Sequence, residues 1–162
     1  KIRIRSEISC RGWMRNLEEM LKTLDRDLVL TETVIHENRI ELHAKMAREE
    51  AICPYCGAKS RSVHKIYIKT IADLPVQDKE VRIVLQRRVF FCKNPECDKS
   101  QFAERYSFVE DYGRRTKRLN ERIIELAANM SALKAEGVVS NGLVGISDDT
   151  ILRMLKKTAV KQ

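Results

Sequence analysis

The sequence predicts an α+β fold, in which a small antiparallel sheet with a short N-terminal helix is followed by a module made of helices. Three observations carry this prediction. Apolar residues recur at helical spacing near the N-terminus, alternate with polar residues through much of residues 28–91, and return to helical spacing from Leu119. Of the 162 residues, 43% are hydrophobic and 33% charged, a composition typical of a chain that buries a core.

The first helix is predicted over residues 14–24. Leu17, Met20, Leu21 and Leu24 follow the i, i+3, i+4, i+7 pattern of an amphipathic helix. Residues 1–13 show no clean period, and we expect a poorly ordered extension there. Because these residues lead into no apolar segment, they show no secretory signal, and we expect a cytoplasmic protein.

Four strands are predicted next. Residues 28–35 and 40–46 form one hairpin, and residues 63–70 and 81–91 form a second pair separated by a turn region at Asp73-Leu74-Pro75. In the last strand apolar residues alternate with basic ones, so one face is buried and the other basic. Arg87 interrupts the apolar face.

Four of the five cysteines form two closely spaced pairs. They are Cys53, Cys56, Cys92 and Cys97, arranged as C-x2-C and C-x4-C. Two such turns supply the tetrahedral four-sulfur shell that zinc prefers, so we predict that a structural Zn²⁺ binds at the strand ends. This arrangement is typical of a zinc ribbon, and we predict a zinc-ribbon domain over residues 14–111. The alternative is a pair of structural disulfides or unrelated buried thiols, which the missing secretory signal disfavours.

The formal net charge of +8 is unevenly distributed. Residues 1–50 carry no net charge, residues 51–119 carry +7 and residues 120–162 carry +1. We predict that residues 112–118 form a basic linker. It contains Arg114, Arg115, Lys117 and Arg118. A run of charges is often only a solvated surface, but this one lies between a zinc module and a helical module, which favours contacts with phosphate.

Residues 119–162 predict a helix-turn-helix domain. One helix begins at Leu119, a second runs from Ser131 to about Leu143, and a third is capped by Ser147, with Ile151, Leu152 and Leu155 facing inward. The third helix would enter the major groove of double-stranded DNA. Its outward residues are Thr150, Arg153, Met154, Lys156 and Lys157. The alternative is an ordinary helical hairpin.

Composition and motifs exclude two other classes. The longest segment without a charged residue, Gly137 to Ser147, is far shorter than the roughly 18 to 20 apolar residues of a membrane span. The sequence also offers no nucleophile–base pair, no glycine-rich phosphate loop and no zinc site with an open position, which disfavours a stand-alone enzyme.

Several motifs occur together in one order. They are Cys-Pro-Tyr-Cys-Gly from Cys53, the segment from His64 to Pro75, Arg-Arg-Val-Phe-Phe-Cys from Arg87, Phe-Ala-Glu-Arg from Phe102, Arg-Arg-Thr-Lys-Arg-Leu from Arg114 and Ser-Asp-Asp-Thr-Ile-Leu-Arg from Ser147. Over about residues 14–160 this order resembles the N-terminal DNA-binding region of the ISL-three type of bacterial insertion-sequence transposases.

The resemblance implies a zinc ribbon and a helix-turn-helix that together recognise the terminal inverted repeats of a mobile element. In complete members a catalytic DDE-type domain follows. Since this chain stops at Gln162, soon after the expected recognition helix, we expect no enzymatic activity from it. The alternative function is a truncated transposase that acts as a regulatory module, by forming a homodimer or by binding a full-length transposase.

Overall fold

The fold is given by a computed structural model that describes residues 2–5, 11–130, 134, 136–137 and 145–159. The elements bounded within these ranges are β1 (Ile2–Arg5), α1 (Arg11–Lys22), β2 (Leu28–Ile35), β3 (Arg39–Met46), β4 (Ala51–Ile52), β5 (Lys59–Ser60), β6 (Val63–Val76), β7 (Lys79–Phe91), β8 (Gln101–Ala103), α2 (Lys117–Ala128) and α3 (Asp148–Ala159).

The main sheet is mixed rather than purely antiparallel. Its strands lie in the order β1-β2-β3-β7-β6, with β8 paired to β7, while β4 and β5 form a separate hairpin. Strands β3 and β7 are parallel, because the chain makes β4, β5 and β6 between them and returns to the end at which β3 began. The α+β class is confirmed, but the sheet is larger than predicted and contains this parallel pair.

The hairpin of β6 and β7 extends further than the sequence suggests. Strand β6 runs through to Val76, and the turn lies at Gln77 and Asp78, whose φ values are 51° and 58°. Positive φ at both central residues is typical of a tight two-residue hairpin turn. The turn predicted at Asp73-Leu74-Pro75 is therefore wrong. Pro75 is tolerated in β6 because this strand lies at the edge of the sheet.

The main core lies between α1 and one face of the sheet. Leu17 and Leu21 of α1 are buried there, and Met20 and Leu24 pack against the same cluster, as the helical pattern predicted. The sheet contributes apolar residues from β2, β3, β6 and β7, and the segment after β8 adds three more. These are Leu28, Leu30, Ile40, Leu42, Ala44, Met46, Ile71, Val81, Ile83, Leu85, Tyr106, Phe108 and Val109.

The N-terminus differs from the expected extension. Residues Ile2–Arg5 form β1, which pairs with β2 in antiparallel register, and α1 begins at Arg11 rather than at residue 14. Isoleucines at positions 2 and 4 give the alternation of a strand, which is too short to stand out in the sequence. Residues 1 and 6–10 lie outside the described part of the chain.

A second core joins the C-terminal helices to the sheet. Leu119, Ile123 and Ala127 of α2 are buried with Ile146 and with Ile151 of α3. Ala72 and Leu74 of β6 pack against this cluster. The apolar stripe predicted for α2 is thus confirmed, and it is docked on β6 rather than separated from the sheet.

The segment predicted as a linker is fixed by backbone hydrogen bonds. The Ala72 N–H donates to the carbonyl oxygen of Arg114 at 2.8 Å, and the Thr116 N–H donates to that of Ala72 at 2.9 Å. Helix α2 begins at Lys117, with Thr116 as its N-cap. Residues 112–118 are therefore a seam between the sheet and α2.

Helix α3 turns a slightly different face inward from the one predicted. Ile151 is fully buried and Met154 and Leu155 pack against the second core, whereas Leu152 is 43% exposed. Met154 and Leu155 follow Ile151 by three and four residues and so lie on the same face of the helix. Leu152 lies about 100° around the helix from Ile151, which places it on a different face. Of the helix predicted from Ser131 to about Leu143, only positions 134, 136 and 137 are described, all in helical conformation.

Candidate metal centre

The first cysteine turn is closed by two backbone hydrogen bonds. Cys53 follows β4, and its N–H donates to the Ala58 carbonyl oxygen at 2.8 Å. The Gly57 N–H donates to the Cys53 carbonyl oxygen at 2.9 Å. Gly57 has φ of +76°, a conformation that costs a residue without a side chain little, so the turn folds back tightly between Cys53 and β5.

The second cysteine turn follows β7. Here the Cys92 N–H donates to the Ser100 carbonyl oxygen at 2.8 Å, and the Cys97 N–H donates to the Asn94 carbonyl oxygen at 3.2 Å. The Asn94 side chain accepts from the Glu96 N–H at 3.1 Å, the hydrogen bond of an asparagine turn.

Strand β7 holds the two turns together. The Phe91 N–H donates to the Ser62 carbonyl oxygen at 2.9 Å, and the Ser60 hydroxyl donates to the Phe91 carbonyl oxygen at 2.6 Å. Below the turns, Phe90 stacks on Phe102 with ring centroids 5.8 Å apart, and Cys53 is buried in the same cluster. The metal centre therefore has a small apolar core of its own.

The four sulfur atoms meet at one point. All four lie within 4.8 Å of one another, with Sγ distances of 4.0 Å from Cys53 to Cys97 and 3.5 Å from Cys56 to Cys92. A tetrahedron with Zn–S bonds of about 2.3 Å has sulfur–sulfur edges of about 3.8 Å, so the cluster fits zinc. The four cysteines are free thiols at separations well beyond the roughly 2.05 Å of a disulfide.

The electrostatics of the thiols favour a divalent cation. The Ala58 backbone N–H lowers the pKa of Cys56 to about 7. For Cys92 the Asn94 backbone N–H favours the thiolate, but burial and the neighbouring cysteine sulfurs outweigh it and raise the pKa to about 12. The Cys56 sulfur therefore ionises readily, whereas the Cys92 sulfur does not. A bound Zn²⁺ would stabilise all the thiolates together, because its positive charge offsets the repulsion between their negative charges.

The predicted phosphate-binding residues between the modules fall into two groups. Arg114 and Lys117 are exposed. Arg115 is half-buried and donates its Nε–H to Asn120 Oδ1 at 3.0 Å. Arg118 forms an ion pair with the buried Asp73 and donates to the Thr23 hydroxyl at 3.0 Å. Two of the four side chains are therefore engaged inside the protein.

The predicted base-reading residues lie on α3. Arg153, Lys156 and Lys157 are exposed, and Thr150 is half-exposed. Arg153 pairs with Asp149 one turn earlier, and both side chains are mostly in solvent. The Ser147 and Thr150 hydroxyls are 3.0 Å apart, immediately at the start of the helix.

Sequence reasoning missed a buried carboxylate beside the metal end of the sheet. Glu104 is almost fully buried and accepts hydrogen bonds from Arg48, Arg88 and Tyr106 at 2.8 to 3.3 Å. Glu104 directly follows β8, and a period of two from the buried Phe102 places it on the same buried side, a signal that was available in the sequence. The ion pair of Asp73 was missed for a different reason, because the sequence Asp73-Leu74-Pro75 is typical of a turn.

Comparisons with known proteins agree with the metal centre. A family model described as the zinc-finger of transposase IS204/IS1001/IS1096/IS1165 matches residues 49–97, which contain all four clustered cysteines. The transposase for insertion sequence element IS1001 of Bordetella parapertussis is 27% identical over 96 residues, covering 58% of this chain and 23% of that protein. No solved structure matches the chain.

The predicted resemblance is thereby confirmed for this region. Residues 49–97 form a zinc-ribbon region of the ISL-three transposase type, with a structural zinc site at Cys53, Cys56, Cys92 and Cys97. The match spans about a quarter of the length of the IS1001 transposase. None of the described helices has the length and apolar character that a transmembrane helix requires.

Proposed function

We propose that this chain is a zinc-dependent DNA-binding region of a transposase and that it recognises the terminal inverted repeats of an insertion sequence. The observation that carries the proposal is the coincidence, within residues 49–97, of the transposase zinc-finger match and the four-sulfur cluster. Zinc in a closed four-thiolate shell has no open position, so its role here is to fold the ribbon rather than to act on DNA. Strand cleavage and transfer are assigned to no residue of this chain.

Helix α3 supplies the proposed sequence-reading surface. Thr150 and Arg153 lie in its first half and carry hydrogen-bonding groups suited to base edges. Lys156 and Lys157 follow in the last turns and are suited to phosphates. Exposed ion pairs contribute little, so Asp149 would release Arg153 to DNA at small cost.

The proposal predicts a measurable salt dependence. Arg114, Lys117, Lys156 and Lys157 are exposed, whereas Arg115 and Arg118 have partners within the protein. Four phosphate contacts give a slope of log K against log salt of about −4. Fluorescence anisotropy with a duplex from an insertion-sequence end, between about 50 and 300 mM salt, measures this slope.

A double variant with a matched control identifies the surface. Lys156→Ala with Lys157→Ala should reduce the slope by about 2, since two phosphate contacts are lost. Lys45→Ala removes an exposed lysine of β3 and should leave the slope unchanged. Absence of duplex binding at low salt, or an equal slope for the double variant and the native chain, contradicts the proposal.

A second candidate function is a regulatory module that pairs with another transposase chain. The observation that favours it is the edge strand β6, where Ile66 and Ile68 are 57% and 59% exposed. Light scattering during size-exclusion chromatography separates the two functions, because a DNA reader needs no second chain. A concentration-dependent dimer that Ile66→Lys abolishes would favour the regulatory module.

A further inference from the structure

Three tyrosines and two arginines, Arg87 and Arg105, are among the residues that line a cavity beside the first cysteine turn. The cavity has a volume of about 190 Å³. Tyr55 comes from the turn between Cys53 and Cys56, Tyr67 from β6 and Tyr112 from the segment before α2. Arg87 lies opposite Tyr67 in the register of β6 and β7. Four separate parts of the fold thus converge on one small concave site.

Arg87 brings a buried positive charge to this site. Its side chain is only 9% exposed, and its Nε–H donates to the backbone carbonyl oxygen of Glu104 at 3.0 Å. The Glu104 carboxylate itself is bound by Arg48 and Arg88. Among the described residues no carboxylate forms an ion pair with Arg87. A buried cation is costly unless an anion or aromatic rings compensate it.

The compensation that the protein provides is aromatic. The Arg87 guanidinium carbon lies 5.8 Å from the ring centroid of Tyr67 and 6.0 Å from that of Tyr106. Lys69 is close enough for Arg87 to disfavour its charge, since burial first and Arg87 next lower the pKa of Lys69. The carboxylate of Asp111, which lines the same cavity, pairs with Arg105 at 3.1 Å, so these two opposite charges offset each other. The site therefore retains positive charge available to an anion.

Tyr112 is held at the rim of the cavity by a tight turn. The Gly113 N–H donates to the Glu110 carbonyl oxygen at 2.8 Å, and a Cβ at position 113 would lie 2.9 Å from that oxygen. Tyr112 has φ of +61°, which is uncommon for a residue with a side chain. Tyr112 is nevertheless 89% exposed, so burial of the ring does not offset the free-energy cost of this backbone conformation. Strain of this kind is concentrated at functional sites.

We infer that this cavity binds one unpaired nucleotide of DNA, with the base against the tyrosine rings and a flanking phosphate facing Arg87. The inference rests on the proposed DNA-binding function and adds the form of DNA that this site takes. Aromatic side chains stack on any base, and arginine suits the charge and planar geometry of phosphate. The cavity is smaller than the roughly 300 to 1,000 Å³ of sites for drug-sized ligands, which favours a single base.

The test compares three DNA probes with the zinc-loaded chain. They are a blunt duplex of about 20 base pairs, the same duplex with an overhang of four thymidines, and the same overhang with abasic sites. We expect the thymidine overhang to bind roughly tenfold more tightly than the blunt duplex, because at least one base stacks. The abasic overhang, which keeps the phosphates, should lose most of that gain.

Variants assign the gain to the cavity. Tyr67→Ala and Tyr112→Ala should each abolish most of the preference for the thymidine overhang and leave binding of the blunt duplex unchanged. Val63→Ala is the matched control, since it shortens an exposed apolar side chain of the same strand, β6, that does not line the cavity. Thermal melting of each variant shows whether the fold is retained.

The outcomes separate this inference from the proposed function. Equal affinity for the blunt and overhang probes overturns the inference and leaves duplex recognition intact. Equal affinity for the abasic and thymidine overhangs also overturns it, because phosphate alone would then explain the gain. Binding of the thymidine overhang without binding of any blunt duplex supports the cavity and contradicts recognition of inverted repeats.

Discussion

Glu104 shows how single residues fix the metal end of the sheet. Its carboxylate, almost fully removed from water, accepts hydrogen bonds from Arg48 Nε at 2.9 Å and Arg88 Nη2 at 2.8 Å. Burial and then the Glu104 charge raise the pKa of Tyr106, so that phenol stays neutral and donates to the carboxylate. The group connects β8 with β7 and with the segment after β3, which bears the first cysteine turn.

Glu104→Gln should destabilise the protein by about 3 kcal/mol, because two arginines would lose their buried counter-charge while the side chain keeps its shape. Urea unfolding followed by circular dichroism measures the change. Glu50→Gln is the matched control, since Glu50 pairs with Lys59 at the surface, and we expect little effect from it. A loss for Glu104→Gln no larger than for the control would show that the buried network is not stabilising.

At the residue scale the cysteine spacing predicted which four sulfur atoms the fold brings together, whereas the sequence did not predict which of the cationic side chains have partners inside the protein. The cysteine spacing is a local signal, since each pair belongs to one turn. Whether an arginine faces solvent depends on residues distant in sequence, as Arg118 shows: its partner Asp73 is 45 positions away. The alternation in β7 shows that Arg87 interrupts the apolar face, but its tyrosine neighbours follow only from the fold.

The two cysteine turns are the elements whose stability depends on zinc. Zinc binding contributes about 10 to 16 kcal/mol in zinc-finger peptides at pH 7. The turns themselves rest on few apolar contacts beyond Phe90 and Phe102, so they have little to replace the metal. The main core between α1 and the sheet lies outside this cluster, and we expect it to survive chelation better than the turns do.

Zinc affinity should fall with decreasing pH, because zinc binds thiolates and protons compete for them. The pKa values of about 7 for Cys56 and about 12 for Cys92 mean that both sulfurs are protonated at pH 5. Between pH 5 and pH 8 the apparent affinity should therefore rise by more than tenfold per pH unit, since more than one proton is released. Competition with a chromophoric chelator measures it.

A cysteine variant provides the control for that measurement. Cys92→Ser should weaken zinc binding strongly, whereas Cys10→Ser, outside the spacing pattern, should leave it unchanged. Thiol titration should find the four pattern cysteines protected in the zinc-loaded protein and reactive after chelation. An affinity independent of pH would contradict four-thiolate ligation.

Strands and helices were predictable where their pattern is local, and their pairing was not. Strand β2 and the face of α1 follow from apolar spacing alone. The parallel pairing of β3 with β7 requires a long connection, and no local signal encodes it. The turn at Gln77 and Asp78 was missed because neither residue is glycine, although both adopt positive φ.

On the scale of the whole molecule, contacts between β6 and residues 112–118 join the zinc-bearing sheet to the helical module. Asp73 of β6 is nearly fully buried in these contacts and accepts hydrogen bonds from Thr116 Oγ1 at 2.7 Å and Arg118 Nε at 2.8 Å. Thr116 also caps α2, so the carboxylate orients the start of that helix. The position of α2 relative to the sheet is therefore set by a buried charge as well as by Ala72 and Leu74.

Asp73→Asn should uncouple the two modules, because the amide cannot balance the charge of Arg118 and its hydrogen bonds with the guanidinium would weaken. We expect a loss of about 3 kcal/mol, the lower end for breaking a buried ion pair, since Arg118 remains partly exposed. In calorimetry, the single transition expected of the native chain should divide into two, the helices melting first. Glu125→Gln, which removes an exposed pair with Arg122 on α2, should cost less than about 0.5 kcal/mol. If Asp73→Asn melts in one transition at the native temperature, the modules are held by apolar packing alone, and Arg118 would be available for DNA.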